Sequence, residues 1–382
     1  MKNHQKHATI APPEQGHFGR KEWAIVGTPC SNIKKLAFDL TELLSKQYKI
    51  AYVDADHAAA LPPPDAIGAG AMAAYTDKID FHRFDSLRQP TAFEYRQRLN
   101  EMDIVLVNGN HFQAKQQIVV IDPQKEASLK KRLAQLTDVQ LILLINESEK
   151  VYPFLKTQLG ESHLPTILPF SDTAAIANFL LQKLQDALPP IYGLALAGGE
   201  SLRMGQDKGL LDYHGKPQRE YLAALLSENC EKTFLSCRPQ QLMDTSYPIL
   251  ADTFLNLGPF GAILSAFRQY PNVAWLVAAC DLPLLDKVTV QQLLKNRNPS
   301  KLATAFQNPE TQLPEPLITI WEPKAYPVLL QFLGQGYSCP RKVLIHNDIE
   351  LLQIEQPNAL QNVNTPEEME RVKNALAAEK AV

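Results

Sequence analysis

Twice along this chain a short β-rich run ends in a glycine turn. The first is Glu22-Trp-Ala-Ile-Val-Gly27, followed by a helical pattern over 33–47. The second is Ile191-Tyr-Gly-Leu-Ala-Leu-Ala197, followed by Gly198-Gly199 and a polar loop. A strand that delivers the chain to a ligand-facing turn is how α/β units open. Further strands are predicted at 50–53, 103–108, 141–145 and 166–168, then at 233–236, 274–279, 301–305 and 317–320. Helical patterns cover 125–135 and 172–186 in the first half, and 218–229, 261–268, 288–295, 323–333 and 366–378 in the second; 61–64 and 307–316 are proline-rich loops. Alternation at this spacing predicts mostly parallel sheets with helices on both faces, an α/β class built as two three-layer αβα domains.

The 382 residues exceed what one core usually holds. Leu188-Pro189-Pro190 ends a helix that proline cannot continue. It divides the chain into a polar tail over 1–20, a domain over 21–188 and a domain over 189–382. With 38 Lys and Arg against 41 Asp and Glu, the net charge of -3 excludes a global attraction to polyanions. Neither nucleic acid nor an anionic membrane is therefore expected as a partner, and an anionic ligand needs a local site. The five cysteines contain no C-x-x-C pair, which fits neither a disulfide framework nor a zinc site and points to a reducing compartment. Residues 1–20 lack the apolar core of a signal peptide, and no apolar run reaches the roughly 18 residues of a membrane helix, so a cytoplasmic protein is expected.

The segment Leu196-Ala-Gly-Gly-Glu-Ser-Leu-Arg-Met-Gly-Gln-Asp-Lys-Gly-Leu-Leu211 carries the strongest chemistry. Glycines let a backbone approach a polyphosphate, and Arg203 and Lys208 supply charge-assisted bonds to its oxygens. On its own, a glycine pair with two basic residues also fits a plain surface turn.

The full pattern L-A-G-G-x-S-x-R-M-G-x-D-K resembles the signature of nucleotidyltransferases with a Rossmann-like fold, most closely the molybdenum cofactor guanylyltransferases. Four more segments follow in that family's order. They are Leu250-Ala-Asp252 with Leu257-Gly-Pro-Phe-Gly261, Ala278-Ala-Cys-Asp281-Leu-Pro283, Pro314-Glu-Pro-Leu317 and Asn362-Val-Asn364-Thr-Pro366-Glu-Glu. The resemblance spans residues 190–380. It implies that Leu196, Ala197, Gly198, Gly199, Ser201, Lys208, Ser236, Asp252, Gly258 and Asp281 meet the nucleotide. It implies a catalytic set of Arg203, Lys208 and Asp281, with Asp281 as ligand to Mg²⁺. The implied reaction is GMP transfer from GTP to the phosphate of molybdenum-molybdopterin, with release of pyrophosphate. A phosphate nucleophile is already ionised, so catalysis would rest on positioning and charge neutralisation.

Several of these residues have a second reading. Asp281 ends the hydrophobic run 273–279 and suits Mg²⁺ at a strand end, or it caps a helix after Pro283. Asn364 is a candidate substrate contact, or a cap of the last helix. Arg341 is a candidate contact to the pterin phosphate, or the solvated start of a helix. His214 reads as a solvated turn residue and Cys280 as a small residue packed behind Asp281; no Cys/His or His/Asp pair is evident. Gly198-Gly199 resembles the guanylyl group, whereas related cytidylyltransferases more often read A-A-G. Phe234-Leu-Ser-Cys-Arg238 departs from the family, which more often has asparagine there, and Ser236 or Arg238 are its substitutes. The alternatives are a nucleotidyltransferase with another base or acceptor (a molybdopterin cytidylyltransferase or a sugar-phosphate enzyme), or a non-catalytic molybdopterin-binding scaffold.

In the first half, Gly27-Thr-Pro-Cys-Ser-Asn32-Ile33-Lys34 stands where a P-loop would read G-x-x-x-x-G-K-[ST]. The second glycine, the lysine and the hydroxyl residue are lost, which argues against GTP hydrolysis. Asp54-Ala-Asp56-His57, Asp65 to Ala71, Asp103-Ile-Val-Leu-Val-Asn108-Gly109 and Leu164-Pro-Thr-Ile-Leu168 resemble the P-loop adaptor protein of molybdopterin-guanine dinucleotide synthesis. Asn108 stands where that family has glutamate. Asp54, Asp56 and His57 read as a capped strand end or as a metal site. A degenerate adaptor domain would dimerise the enzyme or help present molybdopterin, with molybdoenzymes or molybdopterin-synthesis proteins as partners.

Overall fold

The computed structural model describes residues 9–56, 65–146, 148–160, 164–198, 207–241 and 244–379. They form two compact units, Gln15–Asp186 and Ala187–Val382, the latter together with residues up to Glu14. The tail expected over 1–20 is corrected by this division. Phe18 is buried beside Ala24, Val105 and Val107, edge-on to Tyr95 and Phe112. The buried Glu22 carboxylate accepts hydrogen bonds from the backbone N–H groups of His17, Phe18, Gly19 and Lys115, which ties residues 17–19 to the sheet.

The first unit contains strands β1 (Glu22–Val26), β2 (Ile50–Val53), β3 (Ala73–Asp77), β4 (His82–Ser86), β5 (Ile104–Asn108), β6 (Gln116–Ile121), β7 (Val139–Leu144) and β8 (Thr166–Pro169). Its six-stranded sheet runs β2-β5-β1-β6-β7-β8 with every neighbouring pair parallel, while β3 and β4 form a separate antiparallel hairpin. Strand β6 and the hairpin were not among the predicted elements. The helix expected over 125–135 is instead three short pieces, Pro123–Lys125, Glu126–Lys130 and Leu133–Gln135. Successive residues of a strand face opposite sides. Accordingly Trp23 and Ile25 pack under helices Cys30–Leu44 and Thr173–Asp186, while Val26 packs on the other face with Leu129 and Leu155. This is the expected layering of helix, sheet and helix.

The second unit contains β9 (Ile191–Leu196), β10 (Lys232–Cys237), β11 (Ile249–Ala251), β12 (Ala274–Ala279), β13 (Ala303–Gln307), β14 (Pro314–Trp321) and β15 (Glu350–Gln353). The sheet order is β11-β10-β9-β12-β14-β13-β15, parallel except for β14, which runs against both neighbours. Strand β14 begins inside the expected loop 307–316. Its prolines precede Ile318, where pairing with β12 starts, so they remove no N–H from that ladder. Again both faces are covered. Trp275 and Val277 pack with helices Pro259–Gln269 and Ala325–Gly334, and Leu276 and Ala278 with Gln218–Ser227 and Lys287–Lys295. From β9 the chain moves to β10 and β11 on one side, then crosses to β12 on the other. That reversal opens a crevice at the carboxyl ends of β9 and β12, where open α/β sheets bind ligands. Among the described residues, no helix is long and apolar enough to cross a membrane.

One buried ion pair fixes the entry to this unit. Glu322 is 1% exposed and accepts Nε (2.7 Å) and Nη2 (2.9 Å) of Arg297, whose Nη1 also donates to the Pro189 carbonyl (3.0 Å). Removing the guanidinium would strand a buried carboxylate, a loss of about 3–5 kcal/mol. Arg297→Ala is therefore expected to lower the urea midpoint of this unit sharply; an unchanged midpoint would contradict the role given to the pair.

Candidate active site

Asp281 follows β12 and turns its carboxylate into the crevice. The residue is half-buried, yet its Oδ1 is closed to solvent and has no hydrogen-bond partner among the described residues. Burial pushes its carboxyl above the usual range, opposed by the nearby Lys208. Asp281 is not a helix cap. That role belongs to Asp286, whose Oδ1 accepts from the Thr289 N–H (2.8 Å) at the start of helix Lys287–Lys295. The segment after Asp281 is clamped through its carbonyls. Gln218 Nε2 donates to Leu282 (3.4 Å), His214 Nε2 to Pro283 (2.8 Å) and the Tyr221 hydroxyl to Leu285 (3.0 Å). His214 is thus no solvated turn residue, since it is half-buried and stacked on Tyr221 with 3.6 Å between ring centroids. Cys280 is fully buried behind Asp281, where burial pushes its thiol up and makes it unavailable as a nucleophile.

Lys208 opens a short 3₁₀ turn, Lys208–Leu210, capped by Asp207 Oδ1 on the Gly209 N–H (2.9 Å). Asp207 Oδ2 accepts from Gln241 Nε2 (2.8 Å), which also donates to the Ala197 carbonyl (3.3 Å). The end of β9 and the turn bearing Lys208 are thereby stitched to one amide. Lys208 Nζ donates to Asn364 Oδ1 at 2.7 Å. The two readings of Asn364 separate here. The last helix is capped by Thr365 and Glu368, each side chain accepting the other's backbone N–H (3.3 and 3.1 Å), which leaves the Asn364 amide for Lys208. The Val363 N–H donates to the Asp281 carbonyl (2.9 Å), so this terminal segment is hung on the strand end that carries the carboxylate. Gly199, Ser201 and Arg203 lie outside the described residues.

These groups border a cavity of about 720 Å³. Of the residues implied by resemblance, Leu196, Ala197, Gly198, Lys208, Ser236, Asp252, Gly258 and Asp281 line it together. Ser236 Oγ donates to Asp252 Oδ1 (2.9 Å), while burial pushes the Asp252 carboxyl up. Of the two substitutes for the missing asparagine, Ser236 is engaged by Asp252, and Arg238 also lines the cavity. A methyl group on Gly198 would lie 3.2 Å from the Cys237 Cα and 3.3 Å from the Arg238 nitrogen. A side chain there would have to displace the end of β10 by a few tenths of an ångström. Gly258 adopts φ 55°, a conformation that favours glycine, at the start of helix Pro259–Gln269. Arg341 is not a solvated helix start. Its Nε donates to the Pro314 carbonyl (3.2 Å) and its Nη2 to the buried Glu315 (3.3 Å). Burial pushes the Glu315 carboxyl up and Arg341 holds it down. Gln241, Gln218, Tyr221 and Glu315 were not among the residues expected to act at the site. Only Glu315 carried a visible signal, an acidic residue between two prolines at the start of an apolar strand.

The donor set decides which cation fits. Among the described residues there is no group of three or more His, Cys, Asp or Glu side chains able to hold a metal. One orphaned carboxylate oxygen suits Mg²⁺, which keeps its waters and takes other ligands from substrate phosphates. The corresponding strand end in the first unit is chemically different. The Thr28 hydroxyl donates to the buried Asp122 carboxylate (2.6 Å) and Asn32 Nδ2 to the Thr28 hydroxyl (2.9 Å), placing negative charge where a P-loop would cradle phosphate. Asp54 accepts from the Tyr52 hydroxyl (2.7 Å), Asn108 Nδ2 (2.8 Å) and the Ala55 N–H (2.8 Å), and its carboxyl is lowered by these bonds against the effect of burial. His57 lies outside the described residues.

Residues 193–350 match the family model of the MobA-like NTP transferase domain. The second unit carries a MobA-like NTP transferase domain. The chain is 37% identical over 182 residues to the molybdenum cofactor biosynthesis bifunctional protein of Synechocystis, covering 47% of this chain and 52% of that protein. The match thus spans about half the length of that relative. It is 28% identical over 192 residues to the molybdenum cofactor guanylyltransferase of Pseudomonas putida, covering 49% of this chain and 100% of that protein. Among solved structures, molybdopterin-guanine dinucleotide biosynthesis protein A from Archaeoglobus fulgidus is similar at 20% identity and TM-score 0.42, over 49% of this chain and 99% of that one.

The unpartnered Asp281 oxygen should cost the transferase domain stability. Without divalent metal or nucleotide, Asp281→Asn removes a partly desolvated charge and is expected to raise the melting temperature by a few degrees. A lower melting temperature would mean that the carboxylate is satisfied by the protein and is not held for a ligand.

Proposed function

We propose that the second unit transfers GMP from GTP to the terminal phosphate of molybdenum-molybdopterin and releases pyrophosphate. The observation that carries this reading is the pairing of an unpartnered carboxylate oxygen on Asp281 with the Lys208 ammonium in one cavity beside the Ala197-Gly198 strand end. Guanine as the base, and molybdopterin as the acceptor, are supported by the guanylyltransferases this half is similar to.

Asp281 would hold Mg²⁺, and the bound ion would supply neutralisation of the triphosphate and of the leaving pyrophosphate. Lys208, kept in place by Asn364, adds a positive charge to the same phosphates and holds it there before the reaction. Ala197 and Gly198 bring the backbone against the nucleotide, and Gln241 fixes that edge relative to Lys208. Asp252, oriented by Ser236, offers carboxylate oxygens to donor groups of the nucleoside. The acceptor phosphate needs no base, in keeping with a cavity that holds no available thiol or imidazole among its described lining residues. Neutralising and orienting two anionic reactants is the whole of the work such a site has to do.

The test is conversion of molybdopterin by the purified full-length protein with each α-labelled nucleoside triphosphate in turn. GTP should support transfer and pyrophosphate release well above CTP, UTP and ATP. Asp281→Ala should lower kcat/KM by at least ~10²-fold, and Lys208→Ala should raise the KM for GTP and lower kcat by a comparable order. Equal use of CTP would favour the cytidylyl reading. Wild-type rates for Asp281→Ala would overturn the site.

A further inference from the structure

The first unit holds a nucleophile and a base that the transferase reading does not use. They are 81 residues apart in sequence and meet at the carboxyl ends of β1 and β5. Cys30 Sγ lies 3.3 Å from His111 Nε2, and Asn110 Nδ2 donates to the same sulfur at 3.4 Å. Cys30 is exposed and is the first residue of the helix Cys30–Leu44, whose first turn contains no acidic side chain. The loop bearing the two partners is held firmly. Asn110 Nδ2 also donates to the Thr28 carbonyl (2.9 Å), and Arg132 Nη1 donates to the Gly109 carbonyl (2.9 Å) and to Asn110 Oδ1 (3.4 Å). His111 Nε2 in addition lies 3.9 Å from Asp54 Oδ1, a carboxylate that stabilises the imidazole once it is charged. The charged groups around the pair are therefore Asp54 after β2, Arg132 from the following segment, and Asp122, which Thr28 ties to the same turn.

Cys30 Sγ and His111 Nε2 thus stand within proton-transfer distance, the nucleophile and base of an activated thiol, with Asp54 facing the same ring nitrogen. We propose that Cys30 is a reactive thiol, with His111 as its proton acceptor, that forms a mixed disulfide with low-molecular-weight disulfides. The Cys30 proton passes to His111 Nε2. The sulfur anion attacks one sulfur of the disulfide, a new S–S bond forms and the old one breaks. The departing thiolate takes a proton from the imidazolium or from water. No further oxidant is consumed, because the small disulfide is itself reduced to one thiol per modified cysteine.

The chain contains its own control. Cys339 is also exposed and also adjoins a helix start, but no imidazole bonds to it among the described residues. The native full-length protein is treated with iodoacetamide at pH 7 and the two sites are followed by peptide mass spectrometry. Cys30 should be alkylated on the order of tenfold faster than Cys339. His111→Gln should bring the two rates together by slowing Cys30 alone. With glutathione disulfide as probe, the adduct should form at Cys30 first and be removed by dithiothreitol. Equal rates at the two cysteines in the wild-type protein would overturn the proposal, whatever the variant does. So would a Cys30 rate that His111→Gln leaves unchanged.

Discussion

An unpaired carboxylate oxygen closed to solvent is the constraint on which the transferase half depends. Asp281 Oδ1 has no donor from the described protein, and burial works against its ionised form. The surrounding structure fixes where this carboxyl group stands. Strand β12 delivers Asp281 to the crevice, and Gln218, His214 and Tyr221 hold the following segment by its carbonyls. The Val363 N–H takes the Asp281 carbonyl, which brings Asn364 and through it Lys208 to the same edge. The protein fixes the geometry around the carboxylate and leaves its Oδ1 without a donor among the described residues, the feature on which the proposed binding of a cation rests.

The two units show the same strand-end geometry put to different chemical use. In each, a central parallel strand meets a turn at a reversal of strand order. In the second unit that turn faces Lys208 and a carboxylate whose Oδ1 has no hydrogen-bond partner among the described residues. In the first it faces Asp122, already bonded to Thr28, and a thiol beside an imidazole. A phosphate would meet repulsion there without the lysine that a P-loop supplies, so the loss read from Asn32, Ile33 and Lys34 is compounded by what replaced them.

The extent to which this was legible in the sequence follows from the range of each interaction. Strands β9, β10 and β12 were readable because local hydrophobic runs carry them, and the motif segments at 196–198, 208, 252 and 281 are brought to one cavity by those strand ends. Strand β14 was read too short, since Pro314 and Pro316 look like loop residues until one sees that they precede its pairing with β12. His214 looked solvated because its partners, Tyr221 and the Pro283 carbonyl, are assembled by the fold. Gln241 and Gln218 carry no signal of type or spacing, as glutamine is common on any surface. The meeting of Cys30 with His111 was invisible for the same reason, because it depends on β1 and β5 lying side by side.

The proposed function of the second unit depends on Asp281 bringing a cation to the nucleotide. The most direct measurement is calorimetric titration of GTP into the full-length protein, with and without Mg²⁺, for the wild type and for Asp281→Asn. The wild type should bind GTP substantially more tightly with Mg²⁺ than without it, and the variant should bind with the same affinity in both conditions. A variant that keeps the full dependence on Mg²⁺ would contradict the assignment and move the cation to another part of the site.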